Sequence, residues 1–250
     1  MATDRLERHG RRARWFHAAV YLVTIPTIVT GLWILTGGEG RPSPLAKATG
    51  IGDTELHVWL GRALAGLLVV LVLFGHRAII PFLRETFRVN RGDGRWWVRW
   101  PAAVFTGRFG RHEGEFDPGQ RLANIVIVGG LLVLTASGLV LTALHGGSVF
   151  ALMAKIHRWT AVVVTAAIAG HVLVAAGVLP GYRGVWRSMH LGGRVSVRTA
   201  RRLWPGWFDR TERPTDTPYH AEARPGQADP GRDRADDDGG RTGRTALHRR

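Results

Sequence analysis

Six of the eleven histidines in this 250-residue chain lie within or at the ends of long apolar runs: His17, His57, His76, His145, His157 and His171. An ionisable side chain in such a run is costly, so each is a candidate for a chemical role. His157 and His171 are the most informative pair. They stand 14 residues apart, which on a helix is about 40° short of four full turns, so they share a face and lie about 21 Å apart along the axis. One helix thus offers imidazoles to two stacked sites, and each site needs one more partner at its own depth. Neutral imidazoles from facing helices suit the two axial positions of b-type haem iron. With both positions filled, no open site is left for oxygen or substrate, and the chemistry is electron transfer.

The elements that must position these imidazoles are membrane helices. Runs 15–38, 122–144 and 159–182 carry no charge, and 56–75 is interrupted only by Arg62. Each is long enough to cross a bilayer core of about 30 Å. Spans are expected at about 15–37, 56–76, 122–144 and 156–180, giving an all-α four-helix bundle in which two b-type haems stack. Pro26 inside the first run is tolerated in a membrane helix. That run is too long for a signal peptide, and Thr36-Gly37-Gly38-Glu39 is no small-residue cleavage site.

The formal charge of +15 is distributed asymmetrically. Five arginines precede the first span and nine lie between Arg77 and Arg121, against Arg41, Lys47 and Lys155 in the opposite loops. The positive-inside rule puts both termini in the cytoplasm of a bacterial plasma membrane. The basic charge is thereby explained by membrane topology, and no nucleic-acid partner is expected. The absence of cysteine excludes disulfides, thiolate zinc, cysteine-ligated iron–sulfur clusters and c-type haem.

Topology also pairs the histidines. His57 opens the second span on the outer side, level with His157. His17 lies three residues into the first span on the cytoplasmic side, level with His171. His76, about 100° around the helix from His57, reads as a solvated or interfacial residue beside Arg77, with ligation of the inner haem in place of His17 as the alternative, and His145 reads as a surface residue. Arg62 and Arg158 lie near the outer pair. They suit haem propionates as forked donors, or they simply snorkel to the interface.

Outside the spans, residues 1–14 form a basic N-terminus. The stretch 81–111, with Trp96, Trp97 and Trp100, reads as interfacial with aromatic anchors. Residues 183–208 read as an amphipathic segment lying on the membrane, and 209–250 as a disordered tail poor in large aliphatics. The sequence shows no convincing internal repeat.

Several motifs carry a resemblance over residues 14–208. They are Arg14-Trp15-Phe16-His17, Leu56-His57, Phe116-Asp117-Pro118-Gly119-Gln120-Arg121, Ile156-His157-Arg158-Trp159, Gly170-His171 and Ser188-Met189-His190-Leu191-Gly192-Gly193-Arg194-Val195. With these the chain resembles the cytochrome b (gamma) subunit of respiratory formate dehydrogenases, within the di-haem membrane cytochromes that include hydrogenase b-type subunits. The resemblance implies an electron-transfer subunit without the substrate-oxidising site, partnered by an iron–sulfur subunit and a molybdopterin-type catalytic subunit. It further implies two haems, and a quinone (menaquinone or ubiquinone) reduced near the cytoplasmic face beside Asp117, Gly119 and Gln120. The family often has Asn where this chain has Asp117 and Ala where it has Pro118, and its juxtamembrane histidines are replaced by Arg201 and Arg202. The alternatives are a cytochrome subunit of a hydrogenase, thiosulfate reductase or other molybdenum oxidoreductase, and, in another class, a haem-free membrane anchor.

Overall fold

A computed structural model describes residues 5–36 and 40–212. Gly37 of the expected first span, the first four residues, and the expected disordered tail from residue 213 onward lie outside the described residues.

Four helices are long and apolar enough to cross a membrane: α1 (Arg11–Leu35), α3 (Asp53–Thr86), α5 (Pro118–Ala143) and α6 (Gly147–Ala175). At most 11% of the residues in their apolar stretches are buried within the chain. A soluble bundle would hide a stripe of each helix and expose a polar face; here apolar side chains face outward all round, and lipid must cover them. α1 packs along α3, α5 along α6, and α3 joins the two hairpins through α5, while α1 and α6 touch only slightly. Leu64, Leu131 and Val164 form the centre of the bundle, flanked by Val23, Ile127, Leu134 and Ile168. Val164 stands seven residues from both His157 and His171, so this aliphatic layer lies about 10.5 Å from each. Gly130 admits it, because any Cβ there would collide with the Val164 side chain.

The turn between α1 and α3 contains α2 (Pro44–Thr49). Ser43 caps this helix by accepting the Ala46 N–H at 3.0 Å, and its own N–H donates to Asp53 at 2.9 Å.

Two spans outrun the apolar signal. α3 has 34 residues, ~51 Å of helix, and continues through Pro81 ten residues past the expected end. Hydropathy reads lipid thickness, whereas this helix goes on into a polar subdomain. There Glu85 accepts the N–H groups of Glu115 (2.6 Å) and Phe116 (3.3 Å) and holds the chain that leads into α5. α6 begins at Gly147, well before residue 156, since Lys155 lies near this end of the helix with its side chain exposed, where its ammonium reaches water.

That subdomain corrects the reading of the remaining segments. α4 (Asp93–Thr106) buries Trp96, which is 1% exposed and stacks on Phe109, so only Trp97 and its neighbours remain as candidate anchors. Residues 183–208 do not form one surface helix. They hold α7 (Arg187–His190), strand β2 (Arg194–Ser196), α8 (Val197–Leu203) and the start of α9 (Pro205–Glu212). α9 also takes up the first four residues of the expected tail. β2 pairs antiparallel with β1 (Arg5–Glu7), Arg5 opposite Ser196 and Glu7 opposite Arg194.

The segment folds because Val104, Tyr182, Val195, Leu203, Trp204 and Phe208 close into a second core. Arg8 lies between the Trp204 and Trp207 rings at 4.8 and 4.6 Å and donates to the Glu115 carbonyl. Burial lowers its pKa to about 10. Arg121, at the start of α5, is buried against Asp93 at 2.6 Å and the Arg88 carbonyl, tying subdomain to bundle.

Candidate functional site

The histidines meet in the pairs that depth dictates. The His57 and His157 ring centres lie 6.1 Å apart, and those of His17 and His171 6.4 Å apart. His76 and His145 are exposed, and His76 Nδ1 lies 3.4 Å from the Leu73 carbonyl of its own helix.

The His57–His157 pair is held by matched supports. His57 Nδ1 lies 3.1 Å from both the Thr27 carbonyl and Thr30 Oγ1, and Thr30 is fully buried. His157 Nδ1 lies 3.0 Å from Ser137 Oγ, which itself donates to the Val133 carbonyl, and the Leu134 carbonyl faces the same ring. In each case a hydroxyl and the carbonyl three residues before it serve a histidine on the next long helix. The residue after each hydroxyl is a glycine. A Cβ on Gly31 would stand 3.0 Å from His57 Cε1, and one on Gly138 3.3 Å from His157 Cε1. With Nδ1–H donated to protein oxygen, Nε2 keeps its lone pair for a metal. Although the whole chain has no repeat, the Thr30-Gly31-Leu32 and Ser137-Gly138-Leu139 elements do recur. That pair of tripeptides is the signal that sequence reading passed over.

The His17–His171 pair is built differently. His17 Nδ1 is buried with no hydrogen-bond partner among the described residues. His190 on α7 brings a third imidazole, 6.2 Å from His17 and 5.9 Å from Tyr21. Sequence reading left His190 among the loop histidines, and only the folded subdomain brings it here.

Both pairs fit a haem iron. Two metal–imidazole bonds of about 2 Å each set the ring centres roughly 6 Å apart, and both observed separations match. The donor set fits as well: anchored or unpartnered neutral imidazoles with no carboxylate among them.

The other expected contacts have local explanations. Arg62 lies 5.5 Å from the Trp59 ring and Arg158 5.9 Å from the Trp159 ring. Asp117 is the N-cap of α5 and accepts the Gln120 N–H at 2.8 Å. Gly119 passes so close to Trp96 that a Cβ would come 2.8 Å from the indole. Burial pushes the Asp117 carboxyl above the ordinary carboxylate range, opposed by the Gln120 and Gly119 N–H groups and by His112 and Arg121. His112 is itself 1% exposed and hydrogen-bonds the Leu203 carbonyl through Nε2 at 2.8 Å.

A bundle of four membrane-length helices with imidazoles facing each other at two levels defines a membrane b-type cytochrome. A model of the prokaryotic cytochrome b561 family matches residues 8–192, which contain all four long helices and all four paired histidines. The chain belongs to that family: it is a membrane protein of electron transfer that binds b-type haem. No curated protein matches it closely enough to stand as a relative.

Proposed function

We propose that this chain is the membrane electron-transfer subunit of a formate dehydrogenase-type respiratory complex, carrying electrons from an iron–sulfur subunit to a quinone through two b-type haems. The observation that carries the reading is the two facing imidazole pairs, each at a separation that suits an iron between them, stacked about 21 Å apart on one bundle. His57 and His157 hold the outer haem, and His17 and His171 the inner one. When bound, the haems supply reversible one-electron transfer at iron.

The chain's own residues fix the ligands and fill the space around them. Thr30, Thr27 and Ser137 orient the outer imidazoles, Gly31 and Gly138 leave their rings room, and the Leu64–Leu131–Val164 layer separates the tiers. The arginine-rich end faces the cytoplasm, and the quinone is reduced there, near Asp117, Gly119 and Gln120. Arg62 and Arg158, at the outer end, take haem propionates. The catalytic molybdopterin-type subunit oxidises the substrate elsewhere in the complex. The motif around Phe116–Arg121 favours the formate dehydrogenase branch over a hydrogenase or thiosulfate reductase partner.

The test is haem quantified per chain by pyridine haemochrome, with a reduced-minus-oxidised spectrum of the detergent-purified protein. Two six-coordinate b-type haems are expected, with the outer lost in His57→Ala or His157→Ala and the inner in His17→Ala or His171→Ala. Four single variants that each keep two haems would overturn the ligand assignment, and a chain that never binds haem would leave only a membrane anchor.

A further inference from the structure

At the arginine-rich end of the bundle lies a cavity of about 270 Å³, separate from the histidine pairs. Its charged lining is Arg5 from β1, Arg187 from α7 and Arg194 from β2, three elements brought together only by the fold. Ser196, Thr199 and Gly184 complete the polar wall. The ribbon register explains the convergence: Arg5 stands opposite Ser196, and the alternation that buries Val195 turns Arg194 and Ser196 to the other face. Bonds from the Arg8 and His9 N–H groups to the Gly193 carbonyl, at 2.8 and 3.1 Å, lock the two strands together.

Three guanidiniums facing one concavity repel one another unless an anion lies between them. No acid among the described residues takes that place. Glu7, opposite Arg194 in the ribbon, forms no ion pair with any of the three, and all three arginines are exposed. Arg187 is steadied instead by the Trp186 ring, 5.4 Å from its guanidinium. The Ser196 and Thr199 hydroxyls, 3.0 Å apart, add short polar donors on one wall. Forked guanidiniums with hydroxyls beside them are the chemistry that holds phosphate oxygens. The exposed apolar side chains of Trp186 and Leu191 flank α7, and His190 of that helix, itself exposed, lies 6.2 Å from His17 near the N-terminal end of α1. The cavity therefore lies at headgroup depth, where an anionic surface attracts basic side chains.

We propose that this cavity is a phosphate-binding site in which Arg5, Arg187 and Arg194 hold a phosphate group, either the phosphodiester of an anionic membrane lipid or a free phosphate ion. The site is independent of the haem reading, since none of its residues is a proposed ligand.

The experiment uses the full chain in detergent and follows thermal stability during titration with dioleoylphosphatidylglycerol, dioleoylphosphatidylcholine or inorganic phosphate. Haem content serves as the check that each variant is folded. Phosphatidylglycerol should stabilise the protein at concentrations where phosphatidylcholine does not. Arg187→Gln or Arg194→Gln alone should weaken that response about tenfold, and the Arg5→Gln/Arg187→Gln/Arg194→Gln variant should abolish it. Arg198→Gln/Arg201→Gln, which removes positive charge outside the cavity, should leave it unchanged. Stabilisation by inorganic phosphate with no preference for phosphatidylglycerol, lost in the same cavity variants, would assign the site to the free ion. Equal weakening in cavity and control variants would overturn the proposal, as would no response to either phosphate source. A single-residue variant that keeps its haem and still responds fully would overturn it too.

Discussion

Removing the hydroxyls that support the outer histidines separates a haem-ligand role from simple helix packing. Thr30→Val keeps the shape of the side chain and leaves His57 Nδ1 its other acceptor, the Thr27 carbonyl at 3.1 Å. The loss is then one hydrogen bond of about 1 kcal/mol, about fivefold in retention of the outer haem. Ser137→Ala takes away the closest partner of His157 Nδ1, at 3.0 Å. The Leu134 carbonyl still faces that ring, so the loss is again about 1 kcal/mol and retention should fall about fivefold. The two variants should therefore act to a similar degree, since each histidine keeps a backbone carbonyl. A hydrogen-bonded imidazole is the better donor to ferric iron, so both variants should also raise the outer haem's midpoint potential. At 59 mV per tenfold change for one electron, the rise should be on the order of 20–60 mV. Haemochrome content and a potentiometric titration of the reduced spectrum read both effects. If both variants keep full haem content and an unchanged outer potential while His157→Ala loses that haem, Nδ1 is not the anchored nitrogen and the support argument is wrong.

Four further outcomes follow from the same structure. Gly31→Ala should weaken outer-haem retention about three- to tenfold, by forcing the His57 ring off its rotamer, and Gly138→Ala should do less because its Cβ has 0.3 Å more room (3.3 against 3.0 Å); haem per chain decides the order. His190→Ala should leave two haems bound and shift only the inner midpoint potential, since the third imidazole stands beside His17 outside the ligand pair; loss of the inner haem would instead make it a ligand. Asp93→Ala should destabilise the subdomain by about 3–5 kcal/mol, because Arg121 is left buried without its carboxylate, and limited proteolysis of residues 93–117 would report it.

Asp117→Asn should keep the helix cap, Asn being as good a cap as Asp, while removing a buried charge. The folded Asp117 carboxyl lies above its ordinary value, so its contribution is largest in acid and falls as pH rises through that raised value. The variant's melting temperature should exceed the parent's at neutral pH, and the two should converge in acid.

The bundle and its histidine pairing were legible in the sequence because one physical signal governs both. Uncharged runs fix the spans, and because successive spans alternate in direction, position along each run fixes which imidazoles share a depth. His57 meeting His157, and His17 meeting His171, is that arithmetic made structural. The subdomain was not legible. Val104, Tyr182, Val195, Trp204 and Phe208 are scattered singly among arginines, and no local period shows that they close on one another. Trp96 was misplaced for the same reason, since an indole beside arginines looks interfacial until Phe109 and Gly119 are seen against it. Thr30 and Ser137 were overlooked because a lone hydroxyl in a membrane helix ordinarily bonds its own backbone, as both also do.

The aliphatic layer at Leu64, Leu131 and Val164 has an electrical consequence. No side chain in that cluster, or in the flanking Val23, Ile127, Leu134 and Ile168, offers a group to which water can hydrogen-bond, and an apolar cavity without such partners stays dry. A proton needs an unbroken file of hydrogen-bonded groups, whereas an electron tunnels through packed hydrocarbon. The layer is thus an insulator to one carrier and permeable to the other. In the proposed two-haem arrangement, charge moved between the tiers would stay stored as membrane voltage, at about 2.3 kcal/mol per elementary charge for each 100 mV spanned, instead of draining back as a proton leak. A polar side chain set into that layer would act as a short circuit.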